Sequence, residues 1–349
     1  MEMYKIPALG VLGLVCLVLF PFLHLISLIY LLVLICYAFL IFLSDGDVML
    51  MYYERFGSKG DHLKDKVVWI TGGSGGLGEG LAVVLAKKGA KLILTARRES
   101  ELERVKTRCL KESHLRSEDI FTMPMDGTDF DSHQGCVDKA LAHFKKIDIL
   151  VNNSGRSQRS EAIEAELSTD QFILHLNLLG SISITKCILP HMIENKQGHI
   201  VNISSVAGKL CAPCSTSYSA SKFGMNGYFD TLRTEVYYHN IAITNVCPGP
   251  VATRIIENAV QKDFHQDPCK NYDGLGERTW KVLQTPERCV DLTFVAIANQ
   301  LSEVWIAKSP MLIQFYISQY APTTFRMLSA RLGYLRVEAY RKAQDAMKQ

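Results

Sequence analysis

The stretch from Tyr218 to Lys222 sets a phenol one helical turn before an ammonium, with only Ser219, Ala220 and Ser221 between them. Side chains four residues apart on a helix lie on one face, so the two groups can share a site. An ammonium beside a phenol favours the phenolate and is expected to lower the Tyr218 hydroxyl from about 10 towards the range where proton exchange is useful. The pair is a candidate general acid/base. Alone, such a spacing is more often an incidental aromatic beside a solvated lysine, so other residues must carry the reading.

The second candidate is the turn "TGGSGGLGEGLAVVLAKKG" that begins at Thr71 and leads through Gly72, Gly76 and Gly78 into an apolar helix. Glycines there permit a tight turn and let backbone N–H groups approach a pyrophosphate, whose charge is favoured at a helix N-terminus. A dinucleotide fold that binds NAD usually places an acid on the ribose about 20 residues further on. Here "LILTARRE" puts Ala96 at that place, followed by Arg97 and Arg98. A guanidinium is a planar fork of donors suited to a phosphate, so NADP is expected in preference to NAD.

These residues need a frame, and hydrophobic patterning supplies it. Strand-length apolar runs at 67–71, 91–95, 120–125, 147–151, 199–204, 241–246 and 304–307 alternate with stretches of helical period, the signature of βαβ units. Right-handed crossovers then predict an α/β fold: a doubly wound, Rossmann-like parallel sheet in a single domain, with helices on both faces. Before it, residues 8–43 carry no Asp, Glu, Lys or Arg, a run far longer than the about 20 residues a bilayer core requires. Pro21 and His24 are expected to break this run, leaving either one span from Phe22 to Leu43 behind a short apolar lead, which is favoured, or a tight hairpin. The organisation expected is a membrane anchor at 1–43, a polar connector at 44–64, the sheet domain at 65–310 and a helical extension at 311–349.

Composition excludes other classes. The net charge is +3, and basic residues are scattered instead of gathered with aromatics, so no nucleic-acid surface is expected. Ten cysteines without regular spacing imply no disulfide framework. "CAPC" at 211–214 lacks a second pair or a nearby His, and His191, His199 and His239 stand isolated; no metal site is expected. Two sequons, at Asn152 and Asn202, fall where glycans would disrupt the sheet, which weighs towards a cytosolic domain. Basic residues flanking the apolar run are too few to fix its orientation.

With "MDGTD" after the third strand, "NNSG" after the fourth, "LHLNLLG", "IVNISSVAG", "YSASK" and "PGPVAT" following in order, residues 65–310 resemble the short-chain dehydrogenase/reductase family. The resemblance implies that Tyr218 exchanges a proton with the substrate oxygen, that Lys222 lowers its pKa and holds the nicotinamide ribose, that Ser205, in preference to Ser204, hydrogen-bonds the carbonyl, and that Asn177 anchors a water in the proton relay. It further implies that Gly72, Ser74, Gly76, Leu77 and Gly78 line the cofactor, with Arg97 at its 2′-phosphate. Asp126 and Asn153 are implied on its adenine side, Gly155 against it, and Val251 and Thr253 near the carboxamide. Extra glycines in the first turn and Ser154 in place of the usual alanine are departures that keep the residues small.

Segments such as "IDILVNNSGRSQRS", together with the N-terminal run, resemble a membrane-anchored branch of the family, which implies lipophilic carbonyl substrates of steroid or retinoid type and an endoplasmic reticulum membrane. The alternatives are a membrane scaffold that has lost turnover and an NAD-linked alcohol dehydrogenase; the intact Asn177, Ser205, Tyr218 and Lys222 oppose the first, Ala96 and Arg97 the second. Residues 254–285 fall where the family has a mobile substrate loop. The aromatic, then basic, C-terminal stretch could close the pocket, pack in a homodimer or in the core, or lie on the membrane, with dimer or core packing ranked first.

Overall fold

The structure, a computed structural model, describes residues 5–255, 257–264 and 283–348. Most of the 254–285 segment therefore lies outside the described residues. Seven parallel strands form one sheet in the order β3-β2-β1-β4-β5-β6-β7: β1 (Val67–Thr71), β2 (Lys91–Ala96), β3 (Ile120–Pro124), β4 (Ile149–Asn152), β5 (Gly198–Ile203), β6 (Ile241–Pro248) and β7 (Glu303–Ile306). All seven expected strands are present, with ends displaced by at most two residues. The chain runs from β1 outward to β3, then returns to β4 on the other side of β1. The crevice beyond the carboxyl ends of β1 and β4 is thus the topological switch point, where such sheets bind ligands.

Helices cover both faces, which is why the strands read as continuous apolar runs. Val68 and Ile70 of β1 point into a core with α3 (Gly76–Lys87), α4 (Glu99–Glu112) and α9 (Pro286–Ala298). Val67 and Trp69 point into the opposite core, with α5 (His133–Phe144), α7 (Gly180–Glu194) and α8 (Thr216–Val236).

Two expectations need correction. The apolar run is one helix, α1 (Lys5–Leu43), that continues through Pro21 instead of breaking there, and no hairpin forms. A proline removes one hydrogen bond and bends a helix, but apolar residues on both sides still favour satisfying the backbone within the helix. Its most apolar stretch, Leu19–Leu43, is 25 residues long and almost wholly exposed, a candidate membrane span. Residues 44–64 are also no free connector. Asp47 caps α2 (Val48–Phe56) by accepting from the Leu50 amide at 3.0 Å, and it accepts from the β7 amide of Trp305 at 2.7 Å. Arg288 of α9 joins Asp45 at 2.8 Å and also Glu54, so the foot of α1 is fastened to the sheet domain by buried and paired groups.

Candidate active site

The turn after β1 is shaped by close approach. Gly72 and Gly76 adopt φ of +66° and +56°, values that disfavour any side chain. A Cβ on Gly78 would stand 2.4 Å from the Gly72 carbonyl oxygen and 2.6 Å from Asn153 Nδ2. The end of β4 latches this turn. Asn153 donates from Nδ2 to the carbonyls of Thr71 (3.0 Å) and Gly72 (3.1 Å), while Thr71 Oγ1 accepts from the amides of Asn153 and Ser154 and donates to Val151 O. The amide donors of Asn153, expected to serve the adenine side, are therefore spent on the loop itself. Ser74 offers its carbonyl to Arg104 of α4 at 3.2 Å, and Arg104 is in turn held bidentately by Glu79 at 2.8 and 2.9 Å. Leu77 packs against the core.

Arg97 is the first residue beyond β2 and is exposed. Asp126 accepts from the amide and hydroxyl of Thr128 at 2.9 and 2.8 Å, a closed turn at the end of β3. Val251 is buried and bridged to Gln284, and Thr253 comes within 4.0 Å of where a Cβ on Gly76 would lie. The expected cofactor residues thus converge from the ends of β1, β2, β3, β4 and β6 on the switch point. The backbone cradle and the arginine fit a dinucleotide.

Asn177 sits inside a single π-helical turn, His175–Leu179, a local widening of the kind that recurs at functional sites. Its side chain accepts from the Arg156 amide at 2.9 Å and donates to Arg156 O at 3.0 Å and to Ser221 Oγ at 3.1 Å; Ser221 in turn donates to Tyr218 O at 2.7 Å. Gly155 passes between Asn177 and Lys222: a Cβ there would be 3.0 Å from Asn177 Oδ1 and 3.8 Å from Lys222 Nζ. Ser205 opens a short 3-10 turn, accepts from the Ala207 amide at 3.1 Å, and hydrogen-bonds the Tyr218 hydroxyl. Ser204 is turned away, towards Lys222 O and Cys247.

The titration of the pair differs from the expectation. Although Tyr218 keeps some surface as a residue, burial pushes its hydroxyl above the ordinary tyrosine value, and only the Ser205 hydrogen bond and the charge of Arg159 pull it down. The Lys222 ammonium lies 5.9 Å from the Tyr218 ring and donates to Ile203 O at 2.8 Å. Burial pushes Lys222 itself down to about 8. Desolvation disfavours the charged form of both groups.

Several residues here escaped the sequence reading. Gln158 is fully buried, and its Oε1 accepts from the amides of Ser217 (2.9 Å) and Tyr218 (3.4 Å), which caps the first turn of α8. Asp170 hydrogen-bonds Ser217 Oγ, and Arg159 donates to Ser215 Oγ at 2.9 Å. Arg156, half-buried, donates twice to Asn258 O and lies 5.9 Å over the Phe172 ring; burial and the nearby Arg97 charge push its pKa down. No motif marks them, since polar side chains in a loop look alike whether they point inward or to water. The sequon asparagines are buried in a cross-strand amide ladder, Asn152 to Asn202 and Asn202 to Asn245, each at 2.9 Å.

The profile of the family described as "short chain dehydrogenase" matches residues 66–263. The chain belongs to the short-chain dehydrogenase/reductase family. Members of this family bind a nicotinamide dinucleotide. The chain is 43% identical over 305 residues to the human (Homo sapiens) protein named dehydrogenase/reductase SDR family member 7, covering 87% of this chain and 88% of that one. The mouse (Mus musculus) protein of the same name is 43% identical over 304 residues, with 86% and 88% covered. These relatives form the branch that the N-terminal run and the 147–160 segment resemble. Among solved structures, a metagenomic short-chain oxidoreductase in complex with NADP superposes with a TM-score of 0.57 at 24% identity, covering 71% of this chain and 98% of its own. A short-chain dehydrogenase from Streptomyces avermitilis gives 0.63 at 23%, with 78% and 98% covered. At these identities the likeness is one of fold.

Proposed function

We propose that this oxidoreductase is anchored by α1 in a membrane, with its catalytic domain on the cytosolic face of the endoplasmic reticulum, and interconverts a lipophilic carbonyl and its alcohol with NADP(H). The observation that carries the reading is the group of Tyr218, Ser205 and buried Lys222 gathered beyond the carboxyl end of β5, with Gly155 between Lys222 and Asn177. The nicotinamide supplies or accepts the hydride when bound. In the reductive direction the Tyr218 hydroxyl gives its proton to the substrate oxygen, and Ser205 holds that oxygen by a hydrogen bond. The phenolate left behind is balanced by the Lys222 ammonium once it turns from Ile203 O towards the cleft. Asn177, fixed by its three hydrogen bonds to Arg156 and Ser221, keeps a polar side chain beside Lys222 for returning the proton.

Arg97 is the reason to prefer NADP: it follows Ala96, the last residue of β2, which stands where an acid would hold an unphosphorylated ribose. The fold neighbour that carries NADP is consistent with this choice. A lipophilic substrate suits an enzyme fastened to a bilayer, where such molecules concentrate. The buried sequons support the cytosolic side, because glycans added to Asn152 or Asn202 during entry into the lumen would have no room in the sheet.

The test is NADPH consumption by detergent-solubilised full-length protein over a panel of lipophilic ketones and aldehydes, with Tyr218→Phe in parallel. The expected result is turnover that falls by roughly 10²–10⁴-fold in the variant, the usual contribution of a positioned acid, with NADPH binding retained. Binding without turnover by either protein would replace this reading with that of a silent scaffold.

A further inference from the structure

The C-terminal helix α11 (Pro322–Lys348) uses one face and leaves another without a partner among the described residues. Phe325, Ser329, Gly333, Val337 and Tyr340 turn towards the protein. A Cβ on Gly333 would stand 3.2 Å from Pro213, Tyr340 is buried with its hydroxyl donating to Glu164 at 3.2 Å, and Arg341 pairs with Glu161 at 2.6 Å. Beside this packed face, Leu328, Leu332 and Leu335 recur at i, i+4 and i+7 and are 46%, 59% and 59% exposed. Three leucines aligned along one exposed helical stripe cost solubility unless something apolar covers them.

Position and charge say what covers them. Helix α10 (Met311–Tyr320), which leads into α11, packs on the foot of the span: Ile41 shares a buried cluster with Leu312 and Phe315, and the Tyr316 hydroxyl accepts from the Val48 amide at 3.2 Å. The exposed stretch of α1 ends at Leu43, so α10, packed beside Ile41 and Val48, begins the C-terminal extension where the span leaves the bilayer. Tyr320, Met327 and Tyr334, also exposed, extend the apolar surface from that point with side chains suited to the interface. Residues 310–348 carry six Lys or Arg against two acids; Arg331 and Lys342 border the leucine stripe by their spacing, Lys342 being paired with Glu338 at 3.2 Å. A second copy packed on the stripe about a twofold axis would set Arg331 against its own counterpart, whereas anionic headgroups complement it.

We propose that α11 lies in the headgroup layer of the same bilayer that α1 spans, with Leu328, Leu332 and Leu335 turned into the acyl boundary and Arg331 among anionic headgroups. The proposal rests on the reading of α1 as a membrane anchor. Its consequence for function follows from what α11 holds. Pro213 precedes Tyr218, and Glu161 and Glu164 follow the Arg156–Ser160 segment, so the helix is fastened to two segments that flank the site. A lipophilic substrate would then pass from the membrane into the cleft without crossing bulk water.

The test uses the full-length protein in nanodiscs of phosphatidylcholine and phosphatidylserine containing a phospholipid with a diazirine near the top of one acyl chain. After irradiation, lipid-modified residues are mapped by mass spectrometry. Modification of both 19–43 and 327–335 is expected, with loss of the second set, and not the first, in the triple variant Leu328→Ser, Leu332→Ser, Leu335→Ser. Modification of 19–43 alone overturns the placement of α11 and leaves the anchor standing. Modification of neither overturns both. An unmodified 327–335 in a protein that sediments as a dimer, and as a monomer in the triple variant, would also overturn it, in favour of a dimer face.

Discussion

The two walls of the cleft are built on different principles. The cofactor wall, at the ends of β1, β2 and β4, is held by backbone shape: positive φ at Gly72 and Gly76, a Gly78 with no room for a side chain, and the short latch of Thr71 and Asn153. The wall proposed to face the substrate, from Ser157 to Asp170 with 211–217, 251–255 and 257–264, is held by long polar side chains reaching across it together with backbone bonds between its segments. The Arg159 amide donates to Val260 O and the Val260 amide to Ser157 O, each at 2.8 Å, while among side chains Lys262 pairs with Glu164 at 2.6 Å, Arg156 reaches Asn258, and Gln158 caps α8. A wall fixed by backbone shape tolerates few residue types, while one fixed by side-chain bridges can be rebuilt with different partners. The first suits a cofactor shared across a family, the second a substrate that varies within it.

The sharpest way to break this contrast is Gly78→Ala. A methyl group 2.4 Å from a carbonyl oxygen forces the first turn of α3 from its latch, at a cost of about 1–3 kcal/mol in stability by overpacking. We expect NADPH binding, followed by fluorescence titration, to weaken by more than tenfold alongside a lowered melting temperature. Unchanged binding would mean that the cradle is set elsewhere. Arg97→Asp comes next, since it leaves the backbone alone. A charge-assisted hydrogen bond contributes about 1.5–3 kcal/mol, so the ratio of NADPH to NADH affinity should fall by roughly 10- to 100-fold. An unaltered ratio would remove Arg97 from the cofactor's recognition.

The same contrast explains what could be read from the sequence. Strand positions, the glycine turn and the grouping of Asn177, Ser205, Tyr218 and Lys222 were legible, because each depends on a local spacing or a residue type that backbone geometry demands. Gln158, Arg159, Asp170 and Arg104 were not, because their roles depend on which element lies opposite in space. The titration of the Tyr218–Lys222 pair was misread for a related reason: helical spacing brings the side chains close, but the direction of Nζ is set by the carbonyl of Ile203 on a neighbouring strand. Pro21 misled in the other direction, since its local cost to a helix is outweighed by the apolar run around it.

Lys222 gives a test of that burial. Its folded pKa of about 8 lies below its ordinary value of 10.5, so the folded chain binds fewer protons than the unfolded chain between these limits. The penalty for burying it is fully present below pH 8 and is relieved as pH rises towards 10. The buried thiols Cys109, Cys247 and Cys289, pushed up to about 12, act in the opposite sense above their ordinary value of 9.0. The informative quantity is therefore a difference. Relative to Lys222→Met, the cofactor-free wild type should gain on the order of 2 kcal/mol between pH 8 and 10 in denaturant melts. A flat difference would mean that the ammonium is solvated.

The smallest expected effect belongs to the substrate wall and probes how that wall reaches the chemistry. Gln158 touches neither cofactor cradle nor Tyr218 hydroxyl, but its Oε1 takes the first free amides of the helix that carries Tyr218 and Lys222. Gln158→Leu keeps the volume and removes the acceptor, which should cost about 1 kcal/mol, as loss of a helix cap does. If Gln158 positions the α8 terminus, kcat falls about fivefold while NADPH affinity is unchanged, because the cradle is built from other strands. If both fall together, the two walls are mechanically one and the contrast between them fails; if neither moves, the Ser217–Asp170 bond alone is enough to set the helix.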